Sequence, residues 1–142
     1  MSDFAAKFTP PEPNPAAKAL IARAKLLRGR PEDFISLFQP EAVLHMIGDR
    51  RDSPLFGVYR GREQILELLR AFDAEFERSE HRLLNAVVDG DCFALRWLAE
   101  IKHRGSSQSA LVVTGHFVRT RAGLFEEVFE FSDTATLRRL LG

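Results

Sequence analysis

Residues 93–102 read FALRWLAEIK, and the alternation within this stretch decides the class of fold. Side chains point alternately to the two faces of a β-strand. One face of this strand would carry only apolar side chains, namely Phe93, Leu95, Trp97, Ala99 and Ile101. The opposite face includes Arg96, Glu100 and Lys102, which can meet water. The pattern therefore predicts a strand with one buried face.

The second half of the chain predicts three more strands, at residues 83–88, 111–119 and 124–131. Asp89-Gly90-Asp91 and Arg121-Ala122-Gly123 are typical of hairpin turns, whereas residues 105–109 (GSSQS) suit a longer loop. We expect the four strands to form an antiparallel meander.

The first half of the chain predicts mainly helices. Residues 16–27 are rich in strong helix formers, and Pro31 suits the first turn of a short helix that runs to Phe38. A strand is predicted at residues 42–47 and a polar, turn-rich segment at 48–58. From Gly61 onward, a helix is indicated by apolar residues at helical spacing, namely Ile65, Leu68, Leu69, Phe72 and Phe76. Helices followed by a run of strands indicate an α+β fold.

The chain length of 142 residues suits one domain, which we place at residues 16–142. Residues 1–15 contain prolines at positions 10, 11, 13 and 15, and we expect them to form a flexible arm. Lys+Arg and Asp+Glu both number 20, so no excess of charge favours nucleic acid or an anionic membrane surface.

Two features predict a cytoplasmic protein. No apolar run reaches the roughly 18 residues that a membrane span needs, and residues 1–18 lack the apolar core of a signal peptide. The single cysteine, Cys92, cannot form an internal disulfide, which fits a reducing compartment.

The last predicted strand is mixed on both faces. One face would hold Phe125, Glu127, Phe129 and Phe131, and the other Leu124, Glu126, Val128, Glu130 and Ser132. A sheet that hides apolar groups on both sides is typical of one that has helices on one face and a second subunit on the other. We therefore expect a homodimer formed through the outer sheet face.

Several local motifs occur in a characteristic order. Phe38-Gln-Pro-Glu-Ala-Val43 leads into the first strand, and Gly57-Val-Tyr-Arg-Gly-Arg-Glu-Gln-Ile65 leads into the long helix. Val88-Asp-Gly-Asp91, Gly115-His-Phe117 and Glu130-Phe-Ser-Asp-Thr134 follow. Together they resemble the SnoaL-like branch of the nuclear transport factor 2-like superfamily, over roughly residues 16–138. Ketosteroid isomerases, polyketide cyclases and limonene-epoxide hydrolases are relatives within that superfamily.

This resemblance implies a cone-shaped, cystatin-like α+β barrel, in which a curved antiparallel sheet wraps around N-terminal helices and encloses a pocket. It also implies a dimer. The catalytic positions of the isomerases would fall near Ala22, Met46 and Gly115, none of which can perform that chemistry. The catalytic positions of the epoxide hydrolases would fall near Trp97, Ala99 and Glu130. Of their three catalytic groups, this chain would therefore keep one carboxylate. The single acid/base carboxylate of the cyclases would also fall near Glu130.

Glu130 is therefore the first candidate catalytic residue, because a carboxyl group in an apolar pocket has a raised pKa and can act as a general acid or base. The alternative is a solvated glutamate paired with an arginine. Asp133 is the second candidate, although an Asp directly before Thr134 also suits a helix cap. The predicted pocket walls are Leu44, Met46, Tyr59, Trp97, Phe117 and Val128. If Phe117 faces inward, His116 points outward.

The four histidines lack metal-ligand spacing, so we expect neither a metal site nor a cofactor. Two functions remain open. One is a SnoaL-like isomerase, cyclase or hydrolase that binds a small apolar ligand, such as a cyclic one, and uses a single pocket carboxylate. The other is a non-catalytic protein, either a carrier or sensor of an apolar ligand or a dimerising interaction module.

Overall fold

The computed structural model describes residues 15–142, and its frame is one six-stranded sheet. The strands are β1 (Phe38–Ile47), β2 (Gly57–Arg60), β3 (Phe76–Asp89), β4 (Cys92–His103), β5 (Ser109–Arg121) and β6 (Leu124–Ser132). They lie in the order β2-β1-β6-β5-β4-β3. The sheet is curved and does not close on itself, so the α+β fold predicted from the sequence is confirmed.

The helices cover the concave face of this sheet. They are α1 (Pro15–Leu27), α2 (Pro31–Phe34) with a 3₁₀ turn at Ile35–Leu37, α3 (Gly61–Glu75) and α4 (Thr134–Leu141). Helix α3 packs mainly on β1, and α4 packs on β5 and β4. None of these helices is long and apolar enough to cross a membrane. The predicted arm at residues 1–15 lies outside the described residues, apart from Pro15, which begins α1.

The alternation of residues 93–102 is present in β4 as predicted. All five apolar side chains of that face are buried, with Trp97 only 2% exposed. They join Leu20, Leu37 and Ile65 in one hydrophobic core between the sheet and the helices. Burial of such side chains is the main force that holds helices and sheet together.

Three strand boundaries differ from the sequence-based predictions. Strand β1 begins at Phe38, before Pro40, because Phe38 pairs with Phe125 and the ladder is irregular between Phe38 and Val43, where a proline is tolerated. β2 was not predicted, since Gly57 and Val58 lie at the end of the segment predicted to be turn-rich and its last two residues come directly before α3. β3 begins at Phe76, which was assigned to the preceding helix but has extended backbone angles of −126° and 145°.

Strand β6 does not end a simple antiparallel meander, because it also pairs with β1 in parallel. β6 is therefore a central strand. On its other side, the pairing with β5 shifts by one residue, since Arg119 faces Glu127 while Thr120 faces Phe125. This bulge places Phe125 on the same inner face as Val128, and both are buried. The predicted grouping of Phe125 with Phe129 and Phe131 is therefore wrong.

Candidate functional site

A cavity of about 290 Å³ lies between the helices and the concave sheet face. Its walls are mostly apolar and come from α1, α2, α3 and all of the long strands. Of the residues named from the sequence, Leu44, Met46, Trp97, Val128 and Glu130 lie in these walls, whereas Tyr59, Phe117 and Asp133 do not.

The orientation of β5 is opposite to the one expected from the sequence. Phe117 is 60% exposed on the outer sheet face, while His116 is 9% exposed and lines the cavity. Val112 and Val118 are buried, and each lies an even number of positions from His116. The three side chains therefore share the inner face of β5. Phe117 is thus not a wall residue, and a histidine takes its place in the cavity.

Tyr59 and Asp133 have structural partners of their own. The hydroxyl group of Tyr59 donates a hydrogen bond to the carbonyl oxygen of Leu55. Asp133 caps helix α4, because its carboxylate accepts hydrogen bonds from the backbone N–H (3.1 Å) and the hydroxyl group (2.6 Å) of Thr136. These contacts account for both residues without a ligand.

The central polar feature of the cavity is a pair formed by His116 and Glu130. The two residues lie directly opposite each other on β5 and β6, and His116 Nε2 is 2.6 Å from Glu130 Oε1. Their side chains are only 10% and 15% exposed. Such a short contact in an enclosed site is typical of a hydrogen bond that involves a charged group.

Glu130 is ionised in this setting, which corrects the raised pKa expected from the sequence. Burial alone would raise its pKa, but the hydrogen bond from His116 and the positive charges of His116, Arg28 and Arg78 outweigh burial and bring the pKa to about 2. Glu130 therefore cannot supply a proton at neutral pH. Its role is to accept a hydrogen bond from His116 Nε2 while it stays ionised.

When His116 is in its neutral form, the ionised carboxylate of Glu130 determines which tautomer is present. An ionised carboxylate only accepts hydrogen bonds, so Nε2 must carry the hydrogen and Nδ1 must carry the free lone pair. Nδ1 is buried and has no hydrogen-bond partner among the described residues. The arrangement therefore presents a basic nitrogen whose ring is oriented by a carboxylate, as in other histidine bases.

Three more polar side chains line the cavity beside this pair, namely Arg28, Arg78 and His81. Arg28 lies over Trp97, with Cζ 4.9 Å from the ring centroid. Arg78 lies over Phe72, with the corresponding distance 4.3 Å. Burial, together with the charges of both arginines, lowers the pKa of His81, which favours its neutral form.

A second histidine contact lies at the β4–β5 hairpin, outside the cavity. His103 Nε2 is 2.6 Å from Glu75 Oε1, and its Nδ1 is 3.0 Å from Ser106 Oγ. The backbone N–H of Ser106 donates to the same Nδ1, so that nitrogen is already occupied by the turn. The contact therefore ties the hairpin to the end of α3. Among the side chains that the structure describes, no group of three or more His, Cys, Asp or Glu is arranged to hold a metal ion.

Fold and cavity together define an α+β protein with an enclosed apolar chamber and one buried acid–base pair. The family model of the SnoaL-like domain matches residues 18–128 of the sequence. The chain belongs to the SnoaL-like family. No curated protein matches it.

Solved structures of the nuclear transport factor 2-like superfamily share the fold. A candidate isomerase from Bacillus subtilis has a TM-score of 0.79 at 12% identity, with 100% of this chain and 96% of that chain covered. A candidate SnoaL-like polyketide cyclase from Jannaschia has a TM-score of 0.73 at 15% identity, with 89% and 94% covered. A nuclear transport factor 2-like protein from Burkholderia xenovorans has a TM-score of 0.72 at 19% identity, with 89% and 93% covered.

Proposed function

We propose that this protein is a small-molecule enzyme in which His116 moves a proton on a bound ligand while Glu130 orients the imidazole. The observation that carries the proposal is the 2.6 Å contact between His116 Nε2 and Glu130 Oε1 at the cavity wall. A histidine ring that is oriented by a carboxylate, and whose other nitrogen has no partner among the described residues, suits general acid–base catalysis. The sequence-based candidate, Glu130, becomes the positioning residue in this scheme.

The chemistry that fits is proton abstraction from a carbon next to a carbonyl group. His116 Nδ1 takes the proton, the C–H bond breaks, and its electron pair moves to the carbonyl oxygen to form an enolate. The resulting imidazolium is stabilised by the ionised carboxylate of Glu130. If a C=C bond is conjugated to the enolate, return of the proton to the far carbon of that bond completes an isomerisation. Attack of the enolate carbon on a second carbonyl group of the ligand instead gives an alkoxide, which takes the proton from the imidazolium and completes a cyclisation.

The cavity favours a small apolar ligand. Its volume of about 290 Å³ lies at the lower end of the range of roughly 300–1,000 Å³ that is usual for ligand sites. Leu44, Met46 and Val128 supply apolar surface, and Trp97 supplies an aromatic ring. A compact cyclic carbonyl compound matches these dimensions and this lining.

A binding protein without catalysis is the second candidate. It is favoured by the N–H groups of Trp97 Nε1 and Arg28 Nε, which have no partner in the described part of the chain and can hold a ligand without any proton transfer. In that case His116 would contribute binding alone, and the protein would carry or sense its ligand.

Hydrogen–deuterium exchange separates the two candidates without knowledge of the natural ligand. The probe is 2-tetralone, a bicyclic ketone with exchangeable protons beside its carbonyl group, incubated with the protein in D₂O and followed by NMR. We expect exchange above the buffer rate in the wild type and loss of that excess in His116→Gln. Exchange at the buffer rate, or an excess that survives His116→Gln, would contradict the enzymatic proposal.

A matched control exists on the outer sheet face. His45 Nε2 lies 3.0 Å from Glu127 Oε2, so this pair repeats the residue types of the cavity pair on neighbouring strands. His45→Gln should leave exchange of 2-tetralone unchanged, because His45 does not line the cavity.

We also propose that two copies associate through the outer sheet face. Phe117 and Phe131 pack edge to face there with ring centroids 5.9 Å apart, yet they remain 60% and 43% exposed. Val113 and Ile47 extend this apolar surface, and Arg119 and Glu127 lie beside it. A patch with both charge signs at its rim is self-complementary, as a two-fold symmetric interface requires.

A further inference from the structure

We propose that the cavity takes its ligand as an organic anion, with an apolar ring body and one carboxylate or acidic enol that Arg28 and Arg78 bind; this inference rests on the small-molecule function proposed above.

The first argument is that both arginines lack a counter-ion in contact. Both side chains are half-buried at the cavity wall, and neither has a carboxylate within 4.0 Å among the side chains that the structure describes. The nearest buried carboxylate, Glu130, is engaged by His116. Charged groups in protein interiors are normally paired, because desolvation of an unpaired charge is costly. A ligand anion would supply the missing partner.

The remaining charges at the cavity do not fill this role. The described lining residues include four arginines and three carboxylates. Arg104 lies at the exposed rim, 3.8 Å from Asp73 and 3.9 Å from Glu77, and thus occupies both rim carboxylates. Arg30 pairs with Asp33 at 3.1 Å. The surplus of positive charge is therefore located at Arg28 and Arg78.

The second argument comes from buried nitrogen atoms without partners. Among the described residues they are Arg28 Nε, His81 Nδ1, Trp97 Nε1 and His116 Nδ1, and all four residues line the cavity. Arg28 Nε and Trp97 Nε1 can only donate hydrogen bonds. Trp97 is 2% exposed, so its N–H cannot reach bulk water. An oxygen-rich, negatively charged group is the ligand chemistry that satisfies adjacent donors of this kind.

The third argument is that space exists at the arginines. A second cavity of about 20 Å³ is lined by Arg28, Arg78, Trp97 and Glu130, next to the main chamber. That volume holds about one water molecule or one small polar group. The apolar walls of the main chamber then surround the rest of the ligand.

The electrostatics agree with this placement. Burial, together with the nearby charge of Arg78, lowers the pKa of Arg28 to about 9, although Glu130 acts in the opposite direction. Arg28 thus remains charged at neutral pH, but the site disfavours its charge in the absence of a further anion. The pKa of Arg78 is also lowered, and burial is again the main cause.

The test compares two ligands of the same shape and different charge, 2-naphthoate and 2-naphthamide, by calorimetry at pH 7. Trp97 carries the only indole in the chain, so its N–H resonance reports whether the probe enters the cavity. We expect 2-naphthoate to bind at least about tenfold more tightly than the amide and to shift that resonance. Arg28→Gln and Arg78→Gln should each remove most of the preference while leaving binding of the amide unchanged.

Arg82→Gln is the matched control, because Arg82 lies exposed on β3 and outside the cavity. If a glutamine variant fails to fold, Arg28→Lys keeps the charge and should keep part of the preference. Equal affinity for the two probes, or a preference that survives both glutamine variants, would overturn the inference. Exchange of 2-tetralone, which carries no anionic group, tests the catalytic proposal separately, so the two proposals can fail independently of each other.

Discussion

His116 and Glu130 lie opposite each other on β5 and β6, on the concave side of the sheet, whereas His45 and Glu127 are diagonal neighbours on β1 and β6, on the convex side. The two pairs have the same chemistry and similar distances, but different surroundings. Glu130 is enclosed with two arginines nearby, whereas Glu127 also binds the exposed Arg119. Burial and charge, rather than residue type, therefore make the concave pair the candidate for catalysis.

Glu130→Gln should make the free energy of unfolding less dependent on pH in the acid range. Because the folded-state pKa of Glu130 is about 2 and its ordinary value is 4.5, its contribution is present above pH 4.5 and is lost as the pH falls toward 2. That gap corresponds to roughly 3 kcal/mol. Urea denaturation between pH 2 and 7 should show wild type and variant converging at the acid end. Glu67→Gln, at an exposed site on α3, is the control and should retain the wild-type slope.

His116→Gln should raise the pKa of Glu130 above about 2. The hydrogen bond and charge of His116 are the main influences that oppose burial, so burial acts with less opposition in the variant. Carboxyl ¹³C chemical shifts followed through an acid titration measure this change. If the pKa of Glu130 stays near 2 in the variant, the charges of Arg28 and Arg78 would be the cause of its low value instead.

Trp97→Ala and Trp97→Phe should differ strongly in stability. Removal of a buried Trp side chain costs about 3–5 kcal/mol, because packing is lost and a void remains. The Phe variant keeps most of the ring and removes an N–H group that has no partner, so we expect less than half of that loss. Chemical denaturation of the two variants provides the comparison, and equal losses would show that the indole N–H is satisfied in solution.

Asp133→Ala should lower stability by about 1 kcal/mol, the usual value of an N-terminal cap, without altering proton exchange of 2-tetralone. Asp133→Asn should lose less, since an amide oxygen can still accept from Thr136. Thermal unfolding and the exchange assay measure the two effects. A loss of exchange at full stability would return Asp133 to the list of catalytic candidates.

Phe117→Glu should dissociate a dimer formed through the outer sheet face, because a charge would then be buried at the centre of the patch. Sedimentation velocity detects the change in mass. Leu26→Glu is a suitable control, since Leu26 is 73% exposed on α1, away from that face. A wild-type protein that sediments as a monomer would refute the proposed association.

The strand pattern and the family could be predicted from the sequence because they depend on local alternation and on short motifs. The burial of residues 93–102 followed from period-two patterning alone. The inward position of His116 did not, because β5 carries apolar residues of both parities, with Val112 and Val118 on one face and Val113 and Phe117 on the other. The pairing of His116 with Glu130 also depends on the bulge at Arg119/Thr120, which has no local sequence signal.

The arginines of the cavity were missed for two different reasons. Arg28 continues the buried stripe of Ala17, Leu20, Ile21 and Ala24 at a spacing of four residues, so helical periodicity could have placed it inward. Arg78 follows the junction of α3 and β3, and the β3 ladder shifts register between Arg78 and His81. The alternation of side chains between the two faces does not continue across such an irregularity. The inward position of Arg78 therefore depends on tertiary packing and could not be predicted from local sequence.

The two sides of the cavity wall differ in how firmly they are hydrogen-bonded, because β6 pairs with β1 as well as with β5. Glu130 lies on a strand bonded on both sides, so its amide hydrogens should exchange only when much of the domain opens. Arg28, by contrast, follows the end of a helix that makes few contacts with the sheet. Substitutions in α1 should therefore change the lining around Arg28 while the β5–β6 register, and with it the contact between His116 and Glu130, stays in place.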